Sequence, residues 1–317
     1  MRGNPLAHGL IAPGSLPDVL QLLSTEPGKW TPIAGGTELM VAHAAGRLEA
    51  AHLVSLWGIP ELRFIECRAD SISIGAGSTF RDLRSHAGIA EQLPLLAKAA
   101  GWIGSIANQS RATLGGNLVN GSPAADSSPA LLVYDAEVEL LSARGSRRIR
   151  YADFHTGYKS NVMTAEELVF AIHVPVRFAS HRQYLRKVGT RRAMAISKVA
   201  LAATARMEGQ FIREIRIAAA SLAPFPTRLT ATEGALAGKA IGPSAIKEAH
   251  AALLVEAKPL DDIRSTADYR KAVAANLLGE FPAQISLTQC AAVLKLQGKA
   301  ITFMAESPAS RKKWLNV

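Results

Sequence analysis

Two stretches of the chain join paired glycines to small polar residues, a combination suited to holding an anion. The first is Ile33-Ala34-Gly35-Gly36-Thr37-Glu38-Leu39. The second runs Ala112-Thr113-Leu114-Gly115-Gly116-Asn117-Leu118-Val119-Asn120-Gly121-Ser122-Pro123-Ala124-Ala125-Asp126. A diphosphate is held by several backbone N–H groups converging on it, with no Cβ in the way. Adjacent glycines permit that approach and permit positive φ. Thr37 can cap a helix or donate its hydroxyl. In the second stretch two small-residue turns lie close together, and Asn117, Ser122 and Asp126 add polar side chains. Such a loop suits a large polar ligand better than a single phosphate. Asp126 falls where a helix is expected to begin, so its carboxylate can accept from a ribose hydroxyl or serve simply as an N-terminal helix acid. Each stretch also has a purely structural reading, the first as a tight strand–helix turn and the second as a surface loop. Two such loops roughly 80 residues apart suit a dinucleotide bridging two subdomains.

Other chemistries find little support. Gly75-Ala76-Gly77 follows an expected strand, but Phe80 stands where a dinucleotide fingerprint needs its third glycine, so a strand-end turn is the better reading. There is no Walker A sequence, no G-x-S-x-G elbow and no H-E-x-x-H. The eight histidines do not fall at metal-ligand spacing, and His155 and His173 read as surface or strand residues. Cys67 and Cys290 are the only cysteines, which argues against a disulfide framework or a cysteine-rich metal site. The net charge of +10 fits nucleic acid, an anionic cofactor or an acidic partner. The basic residues come in short clusters: Arg147, Arg148 and Arg150; Arg186, Lys187, Arg191 and Arg192; Arg311, Lys312 and Lys313. No aromatic residues interleave them as a base-stacking surface would, so anionic small molecules or proteins are expected as partners and nucleic acid is not. No run approaches the ~18 apolar residues of a membrane span. The start makes a poor secretory signal, and a cytoplasmic location is expected.

The elements that must position these motifs form a mixed pattern. At roughly 100–200 residues per domain, the 317 residues suggest two domains or three small ones. Ser15 is a candidate N-cap for a helix through Val19, Leu20, Leu22 and Leu23. A strand TPIA, a helix ELMVAHAA and a strand HLVSL complete a first unit, 1–58. A second, 59–176, opens with strands LRFIEC and SISIGA and a helix from Thr79 carrying Phe80, Leu83 and Ile89. A helix LPLLAKAAGWI follows, and the second glycine stretch leads into the apolar run PALLVYDA. A hairpin EVELLS-ARG-SRRIRY and a strand LVFAIHVP close this unit. The third, 177–282, has strands QYLRKVG and FIREIRIAAAS around a helical or mixed run MAISKVALAATARME. Helices between Pro226 and Leu236, in PSAIKEAHAALLVEA and in STADYRKAVAANLLGEF follow. Residues 283–317 are expected to be a variable tail.

The motifs together resemble those of the FAD-binding (medium) subunits of molybdenum hydroxylases of the xanthine dehydrogenase and carbon monoxide dehydrogenase type. IAGGTEL is similar to the family's first flavin motif, and TLGGNLVNGSPAADSSPALLV to its second, a long and specific match. YLRKVGTRRAMAISKVALAA resembles the start of the family's C-terminal domain, and DDIRSTADYRKAVAANLL a segment near its end. The resemblance covers about residue 6 to residue 282.

The resemblance implies an α+β fold: a two-subdomain FAD-binding fold of the vanillyl-alcohol-oxidase/PCMH type, then an α+β C-terminal domain with a three-stranded sheet. It implies noncovalent FAD, with Ile33, Ala34, Gly35, Gly36, Thr37 and Glu38 along the diphosphate. Ala112, Thr113, Gly115, Gly116, Asn117, Ser122 and Asp126 would hold the diphosphate, ribityl and adenosine parts. Ile103 and Val169 fall at further flavin contacts, and Tyr184 and Lys187 match a region that approaches the isoalloxazine. It assigns this chain no catalytic side chain and no metal. A large molybdenum-cofactor subunit would oxidise the substrate with water as oxygen source, and a small subunit with two [2Fe–2S] clusters would pass electrons to the FAD. The flavin would then reduce NAD⁺, a quinone, another carrier or oxygen, in a dimer of heterotrimers. Two distant cysteines cannot build the [4Fe–4S] insertion of some relatives, nor the [2Fe–2S] centres. The competing readings are a stand-alone FAD-dependent oxidoreductase of the same fold, which gentle purification would yield without iron–sulfur partners, and a non-enzymatic nucleotide-binding module.

Overall fold

The computed structural model describes residues 7–296, with side chains described through 282. Ser15 begins the first helix as expected: its backbone is extended and its hydroxyl accepts from the Asp18 N–H, so α1 (Leu16–Thr25) starts there. Helix α1 joins β1 (Gly9–Ile11) to β2 (Trp30–Ile33), and α2 (Leu39–Ala44) carries the chain on to β3 (His52–Ser55). The three strands are parallel in the order β1-β3-β2. Leu16, Val19 and Leu23 of α1 bury against Val54, Ile59 and Leu62.

The second sheet is antiparallel. Its strands are β4 (Ile65–Cys67), β5 (Ser71–Gly75), β6 (Glu137–Ser142), β7 (Gly145–Arg150) and, after a small hairpin of β8 (His155–Gly157) and β9 (Ser160–Asn161), β10 (Leu168–Pro175). They lie in the order β4-β5-β10-β6-β7. Strand alternation sends Ile72, Ile74, Val138, Leu140, Ile172 and Val174 to one face, where they join the largest core. Helices α3 (Phe80–Ser85), α4 (Ala87–Gln92), α5 (Pro94–Ala100), α6 (Ile106–Gln109), α7 (Leu114–Asn120) and α8 (Ser128–Val133) fall between β5 and β6. The helix expected to carry both Phe80 and Ile89 is broken in two at His86, whose extended backbone (φ −79°, ψ 120°) ends α3 and whose ring caps α4.

The third sheet holds three long strands, β11 (Arg182–Val188), β12 (Val199–Glu208) and β13 (Phe211–Ala220), with the two-residue β14 (Thr227–Arg228) at its edge. Helices α9 (Thr230–Leu236), α10 (Pro243–Glu256) and α11 (Ala267–Leu296) complete the chain. Tyr184, Leu201, Ala203 and Ile217 pack with Leu253, Leu278 and Phe281, whereas Leu185, Ala202 and Ala218 face the core of the preceding unit. Strand β12 is therefore buried on both faces from Val199 to Ala205. That explains why its run of alanines lacks a period of two and reads as partly helical in the sequence. Helix α11 continues through Pro282 to Leu296, so the first part of the expected tail is helical; residues 297–317 lie outside the described residues.

Asp135 ties the units together, accepting from Arg177 at 2.7 Å, Arg216 at 3.0 Å and Arg228 at 3.0 Å. His155 is buried among the rings of Tyr151, Phe154 and Phe225, and its Nδ1 has no partner among the described residues. Burial holds His155 below its ordinary value of 6.5, and burial moves His181 the same way. The folded imidazole stays neutral where the unfolded one takes a proton. Its contribution to stability is present above pH 6.5 and is lost as pH falls from there through the depressed value. His155→Phe should therefore flatten the fall in urea midpoint below pH 6.5. An undiminished acid dependence in that variant would remove His155 as a cause.

Candidate functional site

The first glycine stretch follows β2. The Leu56 N–H donates to the Ile33 carbonyl (2.9 Å), which holds the ends of β2 and β3 level. Beyond Ile33 the chain turns, with Gly36 at φ +73°, a conformation glycine adopts at little cost. The carbonyls of Gly36 and Glu38 accept from Met40 and from Val41 and Ala42 as α2 begins. The N–H groups of Gly35, Gly36, Thr37 and Glu38 find no acceptor among the described residues. A run of N–H groups without acceptors around a positive-φ residue is the pattern found in backbone anion-binding turns. Lys159 pairs with the Glu38 carboxylate at 3.2 Å.

The second stretch is not the open loop its composition suggests. Thr113 caps α7 by accepting from the Gly116 N–H (3.1 Å), and Gly115 and Gly116 lie in the first helical turn. Gly121, at φ +58°, ends it. The stretch is stitched to the strand-end turn after β5: Gly115 donates to the Ala76 carbonyl (2.9 Å), Leu114 to Ser78 (3.0 Å), and Phe80 to Ala112 (3.1 Å). Gly115 is needed for that approach, since a Cβ there would stand 2.6 Å from the Ala76 Cβ. Gly115 is buried in this contact, whereas Gly116 is exposed.

The two stretches meet. A Cβ on Gly35 would lie 1.8 Å from the Arg111 carbonyl oxygen, and one on Gly116 would lie 4.0 Å from the Ala34 Cβ. Arg111 Nε donates to the Gly35 carbonyl at 3.4 Å. Beside this junction opens a pocket lined by Ala34, Leu56, Trp57, Ile59, Arg63, Gly77 and Thr113. It sits at the carboxyl ends of parallel strands β2 and β3, where ligands of open α/β sheets are held.

Asp126 lies at the junction with the third sheet and is 6% exposed. Lys187 Nζ donates to its Oδ2 at 2.5 Å, and the Ser197 hydroxyl donates to its Oδ1. Burial pushes the Asp126 carboxyl up, opposed by the Lys187 ammonium and by the hydrogen bonds from Lys187 and Ser197. Lys187 Nζ also reaches the Trp102 carbonyl (3.4 Å), next to half-buried Ile103. Asn117 accepts from the Ser127 hydroxyl (2.7 Å), and the Ser122 hydroxyl accepts from the Ala124 N–H (3.3 Å). Val169, on β10, is buried in the same core as Leu114 and Leu118. Tyr184 is not brought to this group. It is three residues from Lys187 on β11, so strand alternation points it to the opposite face, where its hydroxyl donates to the Leu277 carbonyl (2.9 Å).

Sequence reasoning missed Trp57, Arg63, Arg111, Lys159 and Ser197. An aromatic residue just past a strand, as in HLVSLW, is a signal that would have pointed to Trp57. Nothing local marks Ser197, which comes to Asp126 from 71 residues away. Among the described residues no group of three or more His, Cys, Asp or Glu side chains is placed to hold a metal. None of their helices is long and apolar enough to cross a membrane.

Comparison with known proteins places this geometry in context. Residues 6–177 match the FAD binding domain in molybdopterin dehydrogenase, and residues 184–285 match the CO dehydrogenase flavoprotein C-terminal domain. The chain is 30% identical over 258 residues to the xanthine dehydrogenase FAD-binding subunit of Escherichia coli O157:H7, covering 81% of this chain and 88% of that one. It is 28% identical over 267 residues to the carbon monoxide dehydrogenase medium chain of Hydrogenophaga pseudoflava, covering 84% and 93%. In structure it is similar to carbon monoxide dehydrogenase from that organism, with a TM-score of 0.83, 29% identity and coverage of 88% and 96%.

Proposed function

Because the chain belongs to the family of FAD-binding medium subunits of xanthine and carbon monoxide dehydrogenase-type molybdenum hydroxylases, we propose that it is the electron-transfer flavoprotein of such a complex. The observation that carries this reading is the junction itself: two glycine stretches in contact beside four backbone N–H groups without acceptors. That donor set fits a diphosphate, which needs converging N–H groups and exposed glycine backbone.

The N–H groups of residues 35–38 would hold the diphosphate, with Ile33 and Ala34 behind them and Ala112, Thr113, Gly115 and Gly116 as the facing wall. Asn117 and Ser122 offer side-chain groups farther along α7 and its following turn. Asp126 and Lys187 fix the third sheet against this wall, and Ile103 and Val169 are the apolar residues that would keep water from the flavin ring. FAD held there noncovalently would supply the redox chemistry, with the [2Fe–2S] clusters of a small partner subunit as the electron source and NAD⁺, a quinone, another carrier or oxygen as the acceptor. A large partner subunit with the molybdenum cofactor would oxidise the organic substrate. The assembly is proposed to be a cytoplasmic dimer of heterotrimers. Within this chain, residues 1–58 and 59–176 would act as the two flavin subdomains and 177–282 as the C-terminal domain.

The purified chain should be yellow and release intact FAD when precipitated with acid. A chain that stays colourless after incubation with FAD would sink the reading.

A further inference from the structure

The basic cluster on β7 is spent within the chain: Arg147 pairs with Glu167, Arg148 with Glu139 and Arg150 with Asp153. The cluster on the connection from β11 to β12 is not. Arg186 and Lys187 have Glu280 and Asp126, but Arg191, Arg192 and Lys198 have no carboxylate partner among the described residues, and neither has Lys271 on α11. The connection is braced. Arg191 donates to the Met194 carbonyl at 2.8 and 3.2 Å, and Met194 sits at φ +53°. Arg270, 3% exposed, joins the connection to the segment ahead of α11, donating to the Lys198 carbonyl at 2.6 Å and to Asp262 at 2.8 Å. The Lys198 ammonium lies over the Tyr269 ring, 4.8 Å from its centroid. On this frame Met194, Ile196, Leu260, Ile263 and Tyr269 are exposed. Apolar side chains held out in water on a buried-arginine brace gain nothing for this chain alone, and patches of this kind mark binding surfaces.

We propose that this surface, formed by residues 189–198 and 258–271, docks an acidic electron-carrier protein. The inference rests on the FAD-binding reading and selects, among its acceptors, a protein carrier. The two segments hold seven basic residues and three acidic ones. Two of the acids are engaged: Asp261 accepts from the Ala267 N–H at the start of α11, and Asp262 takes Arg264 and Arg270. The surface therefore presents a positive field to an acidic partner. The connection is slung between Lys187 and Ser197, the residues that hold Asp126 beside the proposed flavin cleft. A permanent subunit interface is large and depleted of charge at its centre, whereas here apolar side chains alternate with unpaired cations, the character of a transient, charge-steered encounter. A small dinucleotide would use the cations but not five apolar side chains spread over two segments. Two one-electron carriers docking in turn take the two electrons of a reduced flavin, whose protons pass to water, so the carrier is the only oxidant required.

The test titrates the full chain, loaded with flavin, into a labelled acidic flavodoxin and reads fluorescence anisotropy, with basic cytochrome c as the control. Flavodoxin should bind and lose affinity about tenfold or more between about 50 and about 300 mM salt; cytochrome c should not bind. Arg192→Glu/Lys271→Glu should weaken flavodoxin by about tenfold or more. Arg144→Glu/Arg150→Glu, the same change of charge on the β6–β7 hairpin, should leave its affinity within about twofold. Met194→Ser/Ile263→Ser should weaken it by about fivefold or more with the salt dependence kept. Flavin absorbance should be natural in all these variants, which reports folding independently of the carrier. The docking surface is overturned if flavodoxin does not bind the flavin-loaded chain, or if both charge-reversal pairs weaken it alike. It is also overturned if sedimentation shows the chain pairing with itself through Met194 and Ile263, or if a co-purifying [2Fe–2S] subunit protects Lys271 from acetylation. In each of these cases the flavin-loaded chain leaves the broader reading standing, whereas a chain that takes up no FAD overturns both.

Discussion

Gly35→Ala is expected to open the junction between the two glycine stretches and to empty the cleft of flavin. The added methyl would lie 1.8 Å from the Arg111 carbonyl oxygen and 2.5 Å from its carbonyl carbon. Both are backbone atoms, so no flexible side-chain end can swing aside. Residues 33–38 and 111–113 would have to move apart by more than 1 Å to restore ordinary contact, breaking the Arg111 hydrogen bond to Gly35. Overpacking of this kind costs about 1–3 kcal/mol, and backbone-on-backbone contact places Gly35 at the upper end. The neighbouring glycine answers to a different constraint. A Cβ on Gly36 would meet the Met40 Cγ at 3.2 Å, which can yield, but its φ of +73° strains any L side chain, at roughly 1 kcal/mol. Gly35→Ala should therefore lower the urea midpoint more than Gly36→Ala and leave the protein colourless. A Gly35→Ala chain with the natural midpoint and full flavin absorbance would show that the stretches do not meet as described.

This contrast also shows what the sequence made legible. Paired glycines marked both stretches, and strand patterns marked whole elements of the frame around them: TPIA marked β2, which carries the first stretch, and LVFAIHVP is β10 from end to end. The division of labour within each pair was hidden, because close packing of one glycine depends on a backbone distant in sequence, 76 residues away for Gly35. Gly35 and Gly115 serve close packing, whereas Gly36 serves a positive φ. Helix α7 was obscured because two glycines and two asparagines lower helix propensity, and the Thr113 cap that starts it looks like one more loop residue. Tyr184 and Lys187 lie within one motif, and strand alternation over three residues sends them to opposite faces of β11. A sequence window cannot tell which face of a strand meets a cofactor-bearing unit when both faces are covered.

Asp126→Ala carries the other large effect, and its origin is a stranded charge. The mutation leaves the Lys187 ammonium, whose side chain is 12% exposed, with only the Trp102 carbonyl at 3.4 Å. It also removes the acceptor of the Ser197 hydroxyl. Breaking a buried pair from one side costs about 3–5 kcal/mol. The link lost joins the start of α8 to the end of β11 and the residue pair before β12, so the wall beside the proposed flavin cleft should loosen and FAD affinity should fall with stability. The reverse deletion is not symmetric. In Lys187→Met the Asp126 carboxyl, already pushed up by burial, loses its main counterweight but can escape by taking a proton. Its folded value then lies further above the unfolded 3.8, so the folded state holds the proton more tightly. Stability in that variant should be greatest below the unfolded value and decline as pH rises through the raised one. The double variant Asp126→Ala/Lys187→Met leaves no buried charge and should be less destabilised than Asp126→Ala alone at neutral pH. Urea midpoints for the four chains across pH provide the check. If the double variant instead loses the sum of the two single effects, Asp126 and Lys187 act independently and the clamp does not exist.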